Sequence, residues 1–294
     1  METGILLKGI GGFYYVQVGD TIYECKARGL FRKQGRKPVA GDQVNISVTG
    51  EETASLDEIL PRKNVLTRPP VANLDRLFLV TSVCDPVPNV LVLDKMIAVA
   101  EDHGIDPVVV MTKADLGDIT PWRQVYGKTG LTFVEVSSVT GQGILEMKSL
   151  LKGKISAFSG NSGVGKSTLL NAIGEGYDLP TGEISQKLGR GRHTTRQVEL
   201  FPLSGGGYVA DTPGFSTVDM ERYDMVKKDQ LQYAFREFAP YLGQCKFPSC
   251  SHIREKGCAV LAAVQQGEIA PSRHQSYAAM YEEVKEVKEW QKRV

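Results

Sequence analysis

The chain lacks any long hydrophobic run: no stretch approaches the roughly 18 consecutive apolar residues of a membrane span, so no membrane-crossing helix is expected. The opening METGILLKGIGGFYY has neither the charged start nor the extended apolar stretch of a secretion signal, and a cytoplasmic protein is expected. Charge of one sign is missing too. With 35 basic and 34 acidic side chains the formal net charge is +1, so nothing global draws the protein to nucleic acid and any basic surface must be local. No internal repeat or low-complexity tract is present. Cysteine is scarce, at five in 294 residues, yet Cys245, Cys250 and Cys258 crowd together beside His252. In a reducing compartment that grouping favours a metal over disulfides, and three clustered cysteines cannot all pair with one another.

What is present fits two or three soluble globular cores: 41% of residues are hydrophobic and 23% charged. Residues 1–65 read as short strands (GFYYVQV, TIYECKA, QVNISV) broken by turns, which predicts a small OB-like β-barrel. A basic loop interrupts them, with Lys26, Arg28, Arg32, Lys33, Arg36 and Lys37 around Phe31. That pattern fits RNA contact by an OB-like domain, although taken alone the run also fits a solvated loop. NVLTRPPVANLD, residues 64–75, has the Pro-Pro and the lack of periodicity of a linker. Residues 66–217 then alternate apolar runs with amphipathic segments, from RLFLVTSV to GGYVAD, predicting an α/β domain with a doubly wound, mainly parallel sheet. Residues 218–294 read as a helical, charged third domain holding the cysteines, with helix expected over DQLQYAFREFAPYL.

GNSGVGKST follows one of the apolar strands and opens a helix. Gly160, Asn161, Ser162, Gly163, Val164, Gly165, Lys166, Ser167 and Thr168 fit the G-x-x-x-x-G-K-[ST] phosphate loop. Glycines let backbone N–H groups wrap phosphates, Lys166 brings a cation to the β and γ oxygens, and the Ser167 hydroxyl suits magnesium. Forty-six residues after Gly165, DTPG ends a second apolar strand, with Asp211 suited to magnesium and the Gly214 N–H to the γ-phosphate. Between them lies KLGRGRHTTRQVEL, where Thr195, or alternatively Thr194, is placed to offer magnesium a second hydroxyl and to order the loop. A flexible cationic loop would have the same composition.

TKAD, Thr112 to Asp115, ends an apolar strand upstream of the phosphate loop. The Asp115 carboxylate can accept from two adjacent guanine donors, which adenine cannot offer, while the stem of Lys113 covers the base plane. Ser137 and Ser138 of SSVTG end the next strand and suit the loop whose backbone N–H meets the guanine oxygen. An asparagine is commoner where Thr112 stands; its amide can brace the phosphate loop, a hydroxyl less so, and modest nucleotide affinity is expected.

In the order TKAD, SSVTG, GNSGVGKST, GRGRHTT, DTPG, the chain resembles the circularly permuted GTPases, and within them the ribosome small subunit-dependent GTPase A family. The resemblance covers essentially the whole chain. It implies an OB-like barrel, a permuted P-loop GTPase domain, a C-terminal zinc-binding domain, and GTP hydrolysis coupled to late maturation of the small ribosomal subunit and contact with its rRNA. It also implies the group in which an apolar residue, here Phe215, replaces the water-orienting glutamine, with His193 as the candidate for that role; a solvated loop histidine is the other reading. Some permuted relatives bind potassium through a phosphate-loop asparagine; Gly163 stands there, so a potassium requirement is not implied. Cys245, Cys250, His252 and Cys258, spaced C-x4-C-x-H-x5-C, match the family's zinc motif. Four protein ligands leave no open position, so one structural zinc per chain is expected, alongside magnesium with GTP or GDP. A monomer is expected, with no membrane partner. The competing readings are a nucleotide-retaining RNA-binding or scaffolding module, and an ATPase of the same fold.

Overall fold

The computed structural model describes residues 1–27, 37–174, 198–211 and 226–285, the side chain of Asp211 excepted. Five strands, β1 (Glu2–Ile10), β2 (Phe13–Val18), β3 (Thr21–Ala27), β4 (Gln43–Val48) and β5 (Thr53–Ile59), close into a barrel in the order β1-β2-β3-β5-β4. Closure leaves no free edge to template aggregation. Alternation places Leu6, Val16, Cys25, Val44, Ile46 and Leu56 inside, each fully buried.

The segment expected to be a linker is a packed seam. β6 (Val65–Leu66) and β7 (Val71–Ala72) pair antiparallel, and Leu66, Val71, Ala72 and Leu74 are fully buried. Leu66, Val71 and Leu74 share one core with Leu7 and Ala40 on the barrel side and Leu77 and Leu79 on the other. Gly41 makes this possible, since a Cβ there would lie 2.1 Å from the Ala72 carbonyl oxygen. The apolar residues follow no helical or alternating period because they fill a joint between domains.

The second domain is a six-stranded sheet of β8 (Arg76–Ser82), β9 (Asp106–Thr112), β10 (Thr132–Glu135), β11 (Ile155–Ser159), β12 (Glu199–Pro202) and β13 (Tyr208–Asp211), ordered β10-β9-β8-β11-β13-β12. All pairs are parallel except β12 with β13. One face packs Leu77, Leu79 and Val109 on α1 (Val90–Asp102) and α2 (Thr120–Tyr126). The other packs Phe78, Val80, Val108 and Val110 on α3 (Ile144–Leu151) and α4 (Lys166–Gly174). Burial on both faces explains the continuous apolar runs. The chain enters at the central strand β8, runs outward through β9 to β10, and returns to β11 on the other side of β8. Strand order therefore diverges between β8 and β11, and the crevice at their carboxyl ends is where an open α/β sheet binds ligands.

In place of the expected helix, DQLQYAFREFAPYL forms two 3₁₀ turns, Leu231–Ala234 and Arg236–Tyr241. Phe235 between them is extended, and the break lets Phe235 and Phe238 both turn into the core against Tyr277. α5 (Ala259–Gln265) and α6 (Pro271–Val284) complete the region. Among the described residues no helix is long and apolar enough to cross a membrane.

Candidate functional site: a nucleotide crevice and a separate metal cluster

β11 delivers the phosphate loop to the crevice. At Gly160 the backbone passes so close to β8 that a Cβ would lie 2.4 Å from the Val80 carbonyl oxygen. Asn161, Ser162 and Gly163 are exposed, and Gly163 and Gly165 have φ of +83° and +86°, the left-handed region that glycine enters without strain. Between them Val164 is buried, a peg contributing roughly 1.5–3 kcal/mol of apolar transfer energy. α4 begins at Lys166, whose ammonium lies 3.5 Å from the Gly160 carbonyl oxygen, and the Leu169 N–H donates to Gly165 at 2.9 Å. Ser167 is half-buried and Thr168 exposed in the first turn. A helix N-terminus with this concave backbone attracts phosphate through its N–H groups and its dipole.

The guanine motif touches this loop. Thr112, buried at the end of β9, places its Oγ1 2.5 Å from the Val164 carbonyl oxygen and 2.9 Å from that of Thr81. One hydroxyl proton can serve only one of these carbonyls at a time, whereas an asparagine amide has two. Lys113 has φ of +56°, Asp115 is exposed, and the Ala114 N–H donates to Val136 at the end of β10. In SSVTG the two serines differ. Ser137 is fully buried and its hydroxyl oxygen accepts from the Thr140 N–H at 3.1 Å, bracing the loop, while Ser138 is half-buried.

Sequence reasoning missed the β8–α1 loop. The Lys113 ammonium donates to the Asp85 carbonyl oxygen and lies 3.4 Å from that of Cys84. The Ser82 hydroxyl donates to Pro86 at 2.9 Å, and the Pro86 ring lies 3.7 Å from where a Cβ on Gly163 would stand. CDPVPN is a turn signal directly after an apolar strand, at the edge that carries the other motifs; that position was the available clue.

Asp211 ends β13, which pairs with β11 through Ala210 and Ala157, so its backbone lies at the same sheet edge. Thr194, His193, Thr195, Gly214 and Phe215 lie outside the described residues, as do Arg28, Phe31, Arg32, Lys33 and Arg36 of the basic loop. At that loop's borders, the Lys26 ammonium sits 5.4 Å from the Phe13 ring centre and the Lys37 carbonyl accepts from Arg62.

The cysteine cluster lies in the C-terminal region. The donor atoms of Cys245, Cys250, His252 and Cys258 all lie within 4.8 Å of one another. His252 Nδ1 is 3.5 Å from Cys245 Sγ and 3.4 Å from Cys258 Sγ, and those sulfurs are 3.9 Å apart. A tetrahedral zinc with ordinary bond lengths has N–S and S–S edges of about 3.6 and 3.8 Å. Burial pushes the Cys250 thiol up to about 12 and raises Cys258, so a divalent cation is what would make them thiolates. Burial lowers the pKa of His252, favouring the neutral form that ligates. The residues fit a closed, structural zinc site.

A P-loop and a guanine-reading motif brought together at one sheet edge, with the guanine strands first in the chain, define a circularly permuted GTPase. Comparison with known proteins narrows the class. The profile of the RsgA GTPase family matches residues 59–221, that of the RsgA N-terminal domain residues 3–56, and that of the 50S ribosome-binding GTPases residues 156–291. Curated relatives called small ribosomal subunit biogenesis GTPase RsgA include one from Caldanaerobacter subterraneus, 48% identical, with 96% of each chain covered. Another, from Ruminiclostridium cellulolyticum, is 44% identical over 99% of this chain and 96% of its own. Among solved structures, YjeQ from Thermotoga maritima superposes with a TM-score of 0.84 at 36% identity, covering 98% of this chain and 99% of that one. YloQ, described as a circularly permuted GTPase, gives 0.80 at 30% identity, with 98% and 96% covered. The chain belongs to the RsgA GTPase family, and its activity is GTP hydrolysis.

Proposed function

We propose that this GTPase binds the small ribosomal subunit during its late maturation, through its barrel (residues 1–65) and zinc domain (218–294), and that hydrolysis in the domain between them (66–217) releases it. Near-complete alignment to relatives named for small ribosomal subunit biogenesis supports the partner. The observation that carries the nucleotide chemistry is the contact of Thr112 with the carbonyl of Val164, which joins the base-reading and phosphate-holding loops into one site.

Asp115 selects guanine, the stem of Lys113 covers the base, and backbone N–H groups from Gly160 to Lys166 hold the phosphates. The Lys166 ammonium offsets charge that builds on the γ-phosphoryl oxygens. Ser167 and Thr195, with Asp211, would hold a magnesium ion, which would supply further neutralisation of that charge. His193 orients the attacking water, whose oxygen bonds to the γ-phosphorus as the bridge to the β-phosphate breaks, yielding GDP and phosphate. Phe215, where many GTPases carry a glutamine, can orient nothing, so turnover is slow alone and rises on the subunit. One zinc per chain holds the C-terminal domain together, rRNA meets the basic loop, and the protein works as a cytoplasmic monomer.

Single-turnover GTP hydrolysis with and without purified small subunits tests this. The subunit should accelerate the wild type, and Lys166→Ala should remove most of the rate in both conditions. Phe215 also favours a second reading, a nucleotide-retaining RNA-binding module; no acceleration, or equal rates for Lys166→Ala, would establish it instead.

A further inference from the structure

A hydrogen bond ties the metal cluster to a turn that packs on the GTPase domain. His252 aims Nδ1 at the thiols of Cys245 and Cys258, while its Nε2 lies 3.0 Å from Gln232 Oε1. An imidazole that ligates through Nδ1 carries its proton on Nε2, so Nε2–H donates to the Gln232 amide oxygen. The backbone does not select this geometry unaided: His252 has φ of +62°, uncommon for a residue with a Cβ. Its carbonyl is held by His274 Nε2 at 2.7 Å, the rings of Phe238 and Tyr277 flank the imidazole, and Gln232 is the hydrogen-bond partner of Nε2.

Gln232 belongs to the 3₁₀ turn Leu231–Ala234. Its neighbours Leu231 and Ala234 are buried in the same core as Met96 and Val99 of α1, against which the turn packs. One path from the cluster to the GTPase domain is thus this hydrogen bond and buried turn, beside the core that Cys258 itself shares with Met96 and Val99.

We propose that Gln232 is a positioning residue of the zinc site: it fixes the tautomer and plane of His252, and through its turn it couples metal occupancy to the packing of the C-terminal domain on α1. This rests on the reading of the cluster as a zinc site. Whatever binds only the well-packed form stabilises it, so zinc tightens the seat on α1 and a loosened seat weakens zinc.

The test uses the full-length protein. Zinc affinity is measured by competition with a chromophoric chelator for wild type, Gln232→Met, which keeps the shape without the acceptor, and Gln232→Glu, which supplies a stronger one. Gln232→Met should bind zinc about 10–100-fold more weakly, the usual cost of losing such a partner, and Gln232→Glu at least as tightly as wild type. Affinity for Gln232→Met within twofold of wild type, or Gln232→Glu as weak as Gln232→Met, overturns the positioning role. Hydrogen exchange reads the coupling: zinc removal should expose α1 amides before those of β8 and β9, and unchanged protection of α1 overturns it. A wild type that binds no zinc removes the metal reading itself, an outcome distinct from an unaffected variant.

Discussion

The GTPase domain meets its two neighbours by opposite means. Toward the barrel the contact is apolar and backbone-mediated, and its charges stay near water. The Lys8–Glu199 pair is 2.6 Å long with both side chains roughly 30% exposed, Tyr208 donates to Gln17, and Lys63 pairs with Asp75 at the rim. Beneath them, Asn64 bonds the Leu74 backbone twice and Asn73 donates to Gly41. Toward the zinc domain the charges are inside. Arg273, 1% exposed, bonds Asp94 of α1 at 2.5 Å and Glu237 at 2.6 Å, and the Tyr126 hydroxyl donates to Asp94. Only at the edge of this contact do partly exposed pairs occur among the described residues, Arg236 with Glu101 and Asp106 and Lys95 with Glu283.

The difference lies in what each contact tolerates. Exposed ion pairs exchange with solvent at a cost of about 0–1 kcal/mol, so the barrel's charges can be given up to another partner. Removing one member of a buried pair strands the others in a poor solvent, at about 3–5 kcal/mol. Two carboxylates share one guanidinium here, and burial already raises the pKa of Asp94 despite Arg273. The zinc domain is therefore registered on α1, whereas the barrel is held by a seam whose polar rim is replaceable.

The largest expected effect tests that registration. Arg273→Met should cost about 3–5 kcal/mol in chemical denaturation, because two buried carboxylates lose their cation. A loss below about 1 kcal/mol would erase the contrast between the two contacts. Next in size, Lys8→Ala should cost less than about 1 kcal/mol, and the wild-type advantage should shrink further at high salt. A cost like that of Arg273→Met would make the two contacts alike.

The smallest effect is a pH dependence at the barrel seam. Burial raises the pKa of Asp75, but bonds from the Ile155 N–H and Lys63 outweigh it, and the net shift is downward from 3.8. A carboxyl lowered on folding contributes stability that is complete above its unfolded pKa and fades as pH falls through the folded one. Asp75→Asn should therefore flatten the stability profile below about pH 3.8 and leave its slope near neutrality unchanged. Parallel profiles for mutant and wild type in that acid range would show that Asp75 adds nothing to the seam.

Much of this was legible in the sequence, for physical reasons that differ by element. Strands buried on both faces read as apolar runs, as in DPVVVMT, and the phosphate loop and zinc spacing follow from chemistry that tolerates few other residues. The seam at 64–75 was misread because an inter-domain joint obeys no period: Leu66, Val71 and Leu74 are buried by two domains at once. The 3₁₀ turns were misread as helix because apolar residues at 231, 234, 235 and 238 satisfy a helical stripe, and only the extended backbone of Phe235 breaks it. The role of the Cys84 and Asp85 carbonyls was invisible, since backbone acceptors leave no mark on residue type.

The entry of the chain at β8 has a consequence for how the molecule is made. β8 is central, with β9 on one side and β11 on the other, but β11 is 73 residues further along from Ser82 to Ile155. In synthesis from the N-terminus, β8, β9 and β10 are complete while one edge of β8 still has no neighbour, and an open edge of this kind invites mispairing. The strand that closes that edge is the one that delivers the phosphate loop. The open edge of β8 is thus covered by the same strand that carries the phosphate-loop sequence to the crevice.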